Sequence, residues 1–191
     1  MKLYNGLPVF LVDLNDKTIF NNISIVDCPA IEEDFIQLSK EAEIKFKVNE
    51  EKRIISGPVL IPEQPIYRRD ENGKEFYIKF KAATIRDFAV KFFKDHRNTE
   101  GNIQHEIATN GITFFESYLL NKERGIVPNE FSDLPDDTWF VSAKVENDNV
   151  WKLIKDGTLK GFSIDIMSTL KEDKSVIDTV EELEDYLNNI Q

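Results

Sequence analysis

The chain of 191 residues is 41% hydrophobic and 31% charged, the balance of a folded domain with a sizeable core and not of a disordered segment. Its 35 acidic against 24 basic residues give a formal net charge of -11, which repels phosphates overall and makes nucleic acid a poor default partner. No apolar run approaches the roughly 20 residues of a membrane span, Met1-Lys2-Leu3-Tyr4-Asn5-Gly6 lacks a signal-peptide pattern, and the single cysteine, Cys28, leaves no internal disulfide, so no membrane association and a reducing, cytoplasmic setting are expected.

Residues 1–22 read as an N-terminal arm or strand pair, with Pro8-Val9-Phe10-Leu11-Val12 as its apolar part. Ile23-Ser24-Ile25-Val26 alternates as a strand, and Pro29 ends it. Cys28 lies between Asp27 and Pro29, neither of which activates a thiol, so it reads as a small buried residue. A short helix is expected over 31–41, carrying Ile31, Phe35 and Leu38 on one side. Glu43 to Val48 alternates with period two, as a half-buried strand does. Arg53 to Ile61 is a second strand, broken or bulged at Gly57-Pro58. Ile66-Tyr67-Arg68 and the strand Glu75 to Phe80 flank a turn at Asp70-Glu71-Asn72-Gly73.

Thr84-Ile85-Arg86-Asp87 resembles a capping box. The helix it opens places Ile85, Phe88, Ala89, Phe92 and Phe93 at helical period. Asn110-Gly111, between two apolar-rich runs, signals a two-residue type I′ hairpin. Gly125 to Asp137 is a loop, and Trp139 to Val145 a strand. Asp148 or Asn149 caps a short helix bearing Val150, Trp151 and Ile154, which Gly157 stops. Phe162 to Met167 is another strand. Val180, Leu183, Leu187 and Ile190 mark a final acidic helix, which covers the protein's own core or docks a partner. Mostly strands, with three or four helices among them, predict an α+β fold: an antiparallel sheet closed or nearly closed into a barrel, with helices outside.

Within this frame three residues have the types that acyl transfer requires. Serine is a weak nucleophile and needs a base; histidine titrates in the right range, and a carboxylate behind it fixes its tautomer. If Asn110-Gly111 is the hairpin loop, Thr109 faces Ile112 and His105 falls directly opposite Glu116, with Cβ atoms roughly 5 Å apart. Ser163 follows Gly161-Phe162 at the start of an apolar strand. Ser163 as nucleophile, His105 as base and Glu116 as orienting acid form the candidate set. Asp165, two residues from Ser163, is the alternative third member. Ser117 adjoins Glu116, but alternation turns it away from His105. His96, in Lys94-Asp95-His96-Arg97, reads as a solvated cation at a helix end. Each residue also has a plainer reading: His105 as a polar strand residue, Ser163 as an ordinary serine outside any Gly-x-Ser-x-Gly elbow. Two separated histidines and one cysteine give no zinc spacing, and no phosphate-binding glycine motif occurs, so neither metal nor cofactor is expected.

Four segments together resemble the phage prohead serine proteases, which belong with the herpesvirus assemblin-like clan. They are Ile23 to Ala30; Ile55-Ser56-Gly57-Pro58-Val59-Leu60-Ile61-Pro62 with Ile66-Tyr67-Arg68; the His105 strand with Phe115-Glu116-Ser117-Tyr118; and Thr138-Trp139-Phe140 through Trp151 to Gly161-Phe162-Ser163-Ile164. The resemblance implies a compact antiparallel β-barrel flanked by helices, spanning 23–170 between the arm of 1–22 and the acidic helix of 171–191. It implies Ser163 as the nucleophile and His105 on a neighbouring strand. The third member varies across the clan, and some members take it from beyond the serine strand, where this chain has Glu172 and Asp173. The implied function is a serine endopeptidase of phage head maturation. It acts in the host cytoplasm inside the assembling prohead, on scaffold and capsid-protein extensions and on itself, with self-association as a further expectation. The alternative is a non-enzymatic head-assembly protein on the same fold, with an inactive site.

Overall fold

Three β-sheets share one main hydrophobic core in the computed structural model, which describes residues 3–14, 19–27, 47–50, 52–69, 73–105, 107–167 and 170–172. The helices expected over 31–41 and 180–190, Cys28 and Asp173 lie outside these residues.

The first sheet is built from β1 (Leu3–Tyr4), β2 (Leu7–Val12), β6 (Ile66–Arg69) and β7 (Glu75–Phe80), in the order β1-β2-β7-β6, with β13 (Leu170–Glu172) also beside β2. The second has the order β10-β11-β5-β4, where β4 is Lys47–Asn49, β5 Ile54–Leu60, β10 Ile112–Leu119 and β11 Trp139–Val145. The third has the order β12-β3-β8-β9, where β3 is Ile19–Val26, β8 Gly101–Ile103, β9 Ile107–Thr109 and β12 Gly161–Met167. The α+β class is observed, but the described strands do not close into a barrel. Two of their pairings, β2 with β7 and β3 with β8, are parallel. Parallel neighbours need crossover connections, which a purely hairpin-linked barrel would not contain.

Local chemistry accounts for most of the elements. Pro58 supplies no N–H, and the expected irregularity appears as a bulge at Val59, between the pairs Trp139↔Leu60 and Phe140↔Pro58. Helix α1 (Ala82–Lys94) starts two residues before Thr84, with Lys81 at its N-cap position and no side-chain cap. Ala82 and Ala83 favour helix strongly enough to extend it past the expected capping box. Ile85, Phe88 and Phe92 are buried and Ala89 is partly so, whereas Phe93 is 47% exposed. The apolar stripe is thus narrower than the sequence suggests. Helix α2 (Asp148–Lys155) is capped by Asn147, whose side chain accepts from the N–H groups of Asn149 and Val150. It buries Val150, Trp151 and Ile154.

Phe92 meets Phe114 and Trp139 edge-on, joining α1 to the second sheet. Ile23, Ile25, Phe162 and Ile164 bring one face of the third sheet into the same core.

The Asn-Gly rule holds at one position and fails at another. Tyr4 pairs with Leu7 across Asn5-Gly6, both of positive φ, as a type I′ turn requires. At Asn110-Gly111 only Gly111 has positive φ, and the flanking strands separate: β9 pairs with β8 in the third sheet and β10 with β11 in the second. Gly111 instead ties β10 to the start of α2, its carbonyl accepting from the N–H of Glu146 at 2.7 Å. A Cβ at Gly111 would lie 3.1 Å from the backbone nitrogen of Asn147, whereas one at Gly6 would meet nothing within 4 Å. Alanine at either position incurs a left-handed backbone cost on the order of 1 kcal/mol. Urea unfolding is therefore expected to show Gly111→Ala more destabilising than Gly6→Ala; equal losses would mean that the contact with Asn147 carries no strain.

Candidate active site

The third sheet has two unlike faces. Alternation sends Ile23 and Ile25 of β3, and Phe162 and Ile164 of β12, into the core. The residues between them must then face the other way. Antiparallel register puts Ser163 directly opposite Ser24, and parallel register puts Ser24 opposite Asn102. A polar row, Ser163–Ser24–Asn102, therefore crosses three adjacent strands. It is buried: relative exposures are 6%, 0% and 6%. The side-chain oxygens of Asn102 and of Asn22, one step along β3, are buried without a hydrogen-bond partner.

His105 reaches this row from the connection between β8 and β9. It is not in the middle of a strand, as the sequence suggested, but in a tight turn where Gln104 and His105 both have positive φ, 55° and 62°. Such values are uncommon away from glycine and carry local strain. The Gln104 N–H donates to the Ile25 carbonyl at 3.2 Å, which pins the turn to β3. The His105 Nδ1 lies 2.8 Å from the Ser24 Oγ. The residue is exposed, so a solvent-accessible imidazole is anchored on a buried serine.

The structure thus brings His105 and Ser163 to one neighbourhood, each adjoining Ser24, but it does not bring Glu116 there through the expected pairing. Glu116 lies opposite Ser142 in the second sheet, next to a bulge at Phe115, and is exposed. The divergence of β9 and β10 removes the hairpin argument that placed it against the imidazole. Asp165 lies two positions after Ser163, opposite Asn22. Ser117 accepts a hydrogen bond from the Trp139 indole at 2.8 Å, so it serves the packing of β10 on β11. His96 occupies a left-handed position just after α1, its N–H bonded to the Phe93 carbonyl.

Ser24 and Asn102 are the residues that sequence reasoning missed. The signal was present but faint: a lone serine at the centre of Ile23-Ser24-Ile25, where an apolar strand has no need of a hydroxyl. Asn102 stands in Gly101-Asn102-Ile103 and gains meaning only from its parallel register with Ser24. Among the described residues no group of three His, Cys, Asp or Glu side chains could hold a metal ion. No described helix is long and apolar enough to cross a membrane.

A family model described as "Putative phage serine protease XkdF" matches residues 41–172. The chain belongs to this family. The matched span contains His105 and Ser163 and begins after Ser24. No curated protein and no solved structure matches the chain.

Outside the polar row, Glu116 has an electrostatic consequence of its own. Tyr118 stacks on Phe140, and its pKa is pushed up to about 12, first by burial and then by the charge of Glu116. Above pH 10 an unfolded chain ionises this tyrosine while the folded chain keeps the proton, so stability falls between about pH 10 and about pH 12. Urea midpoints at pH 9 and pH 11 should therefore differ less in Tyr118→Phe than in the wild type. An unchanged difference would place the perturbed tyrosine elsewhere.

Proposed function

We propose that this protein is a serine endopeptidase of phage head maturation, cleaving scaffold and capsid-protein extensions and also itself, in the host cytoplasm within the assembling prohead. Ser163 is the nucleophile and His105 the general base. One observation carries this reading: within the span shared with a phage serine protease family, Ser163 adjoins the serine on which the exposed His105 is anchored.

The reaction needs few parts. The basic nitrogen of His105 takes the Ser163 hydroxyl proton as Oγ bonds to the scissile carbonyl carbon. The C–N bond then breaks, and the imidazolium returns that proton to the leaving amine. Water, deprotonated by the same imidazole, bonds to the acyl carbon; the ester C–O bond breaks, and the imidazolium returns the proton to the Ser163 Oγ. The Ser163 strand β12 is the outer strand of its sheet among the described pairings. An extended peptide can approach such an edge as an added strand, which would align its carbonyls with Ser163. Capsid and scaffold chains are the substrates this reading implies, and a second copy of the protease is one more.

Co-expression with capsid and scaffold proteins tests the proposal by intact mass. Ser163→Ala and His105→Ala should each abolish cleavage and leave the fold intact, and the double variant should be little worse than either alone, because the pair acts as a unit. Undiminished cleavage in either single variant would remove the assignment. A wild type that assembles heads without cleaving anything would favour the non-enzymatic head-assembly reading.

The acid is tested separately. A loss of kcat of roughly 10²–10⁴-fold in Asp165→Asn, with little change in KM, would make Asp165 the orienting acid, and a loss under about tenfold would leave that place to another residue. Glu116→Gln, in another sheet, should leave kcat within about twofold of the wild type. A crippled Glu116→Gln that still folds would restore Glu116 as the acid.

A further inference from the structure

The two nitrogens of an imidazole are not equivalent, and the partner of one decides which the other can be. A neutral ring carries one proton. The nitrogen that holds it donates, and the other is the base. In a protease the base must face the nucleophile, so something has to hold the proton on the far nitrogen. An acid does this in most Ser–His sites. Here the described contact of the His105 Nδ1 is the Ser24 hydroxyl, at 2.8 Å.

We propose that Ser24 is the positioning residue of this site: its Oγ accepts the His105 Nδ1–H, which fixes the ring in the tautomer whose Nε2 is basic. The inference rests on the assignment of Ser163 and His105 made above.

Two features of the fold agree with this role. First, Ser24 is in the middle of its sheet and wholly buried, whereas Ser163 is on the outer strand and keeps 6% exposure. Second, the turn and its ring are fastened to consecutive residues of β3. The Gln104 N–H is held by the Ile25 carbonyl and the imidazole by Ser24.

A serine brings no charge to the imidazolium. Its contribution is orientation and tautomer, so its loss should cost less than the roughly 10⁴-fold of an orienting acid. About tenfold to a hundredfold in kcat is expected, with KM unchanged.

The test has a spectroscopic arm and a chemical arm. The chain has two histidines, so the ring nitrogens of the 15N-labelled full chain are few enough to resolve, with His96→Gln assigning the second ring. Above its titration, His105 should show protonated Nδ1 and bare Nε2. Ser24→Ala and the near-isosteric Ser24→Cys, which packs like serine but bonds weakly, should both give a mixture of tautomers; Ser24→Thr, which keeps the hydroxyl, should not. In the chemical arm a fluorophosphonate probe is mapped by peptide mass. The adduct should lie on Ser163, forming about tenfold to a hundredfold more slowly in Ser24→Ala and Ser24→Cys. An unchanged tautomer and an unchanged labelling rate in those two folded variants would overturn the role of Ser24, and an adduct still on Ser163 would leave the protease assignment standing. An adduct on Ser24, full-rate labelling of Ser163→Ala, or a wild type that takes no probe would overturn the protease assignment and this inference with it.

Discussion

Strict alternation along β3 is the constraint from which the site follows. Ile23 and Ile25 are committed to the core, so Ser24 between them has no choice of face. β12 repeats the pattern, with Phe162 and Ile164 inward. Antiparallel register then makes the two serines neighbours, and parallel register adds Asn102. A slip of one residue in either pairing would send Ser163 or Asn102 to the core side and an isoleucine or phenylalanine to the polar one. The hydrophobic core therefore sets the register, and the register assembles the polar row.

That row opposes stability. A buried polar atom without a partner costs about 1–3 kcal/mol, and Asn22 and Asn102 each contribute one. Left-handed backbone at Gln104 and His105 adds roughly 1–3 kcal/mol per residue. The opposite side of the same sheet offsets these costs through Ile23, Ile25, Phe162 and Ile164, each worth about 1.5–3 kcal/mol when fully buried. Two of the three buried unpartnered side-chain atoms and two of the seven left-handed non-glycine residues among the described residues gather around His105. Folds concentrate such violations at functional sites, where geometry matters more than local stability.

The sequence made single elements readable and their pairing much less so. β11, α2 and β12 appear nearly where periodicity put them, because each carries its own signal: alternation, a capping side chain with a glycine stop, an apolar run. The matched span likewise contains the serine and histidine that residue chemistry singled out. The expected partner of His105 was lost to a decision that no local window contains. Ile107–Thr109 finds β8 and Ile112 finds Val145, so the Asn110-Gly111 junction bridges two sheets and does not close one hairpin. Asn5-Gly6 is chemically the same dipeptide and does close a hairpin, joining β1 to β2 even though β2 also pairs with β7 and β13. Ser24 was hidden for the same reason: a serine in a strand is unremarkable until a turn far away in sequence sets an imidazole on it.

The parallel pairing of β3 with β8 links this long-range decision to the rest of the molecule. Parallel neighbours cannot be joined by a tight turn; the chain must leave the sheet and return in the same direction. Between β3 and β8 it builds β4 to β7 and then α1, whose Ile85, Phe88 and Phe92 are wholly buried. β8 returns against the second sheet so closely that a Cβ at Gly101 would stand 2.9 Å from the Ile112 side chain. Gly101 therefore has to be glycine for β8 to lie where Asn102 meets Ser24 and the next turn lifts His105 over the row. His105 is placed by the packing of a helix and of a glycine as well as by its own turn. Its position is thus a property of the whole core and not only of the turn that carries it.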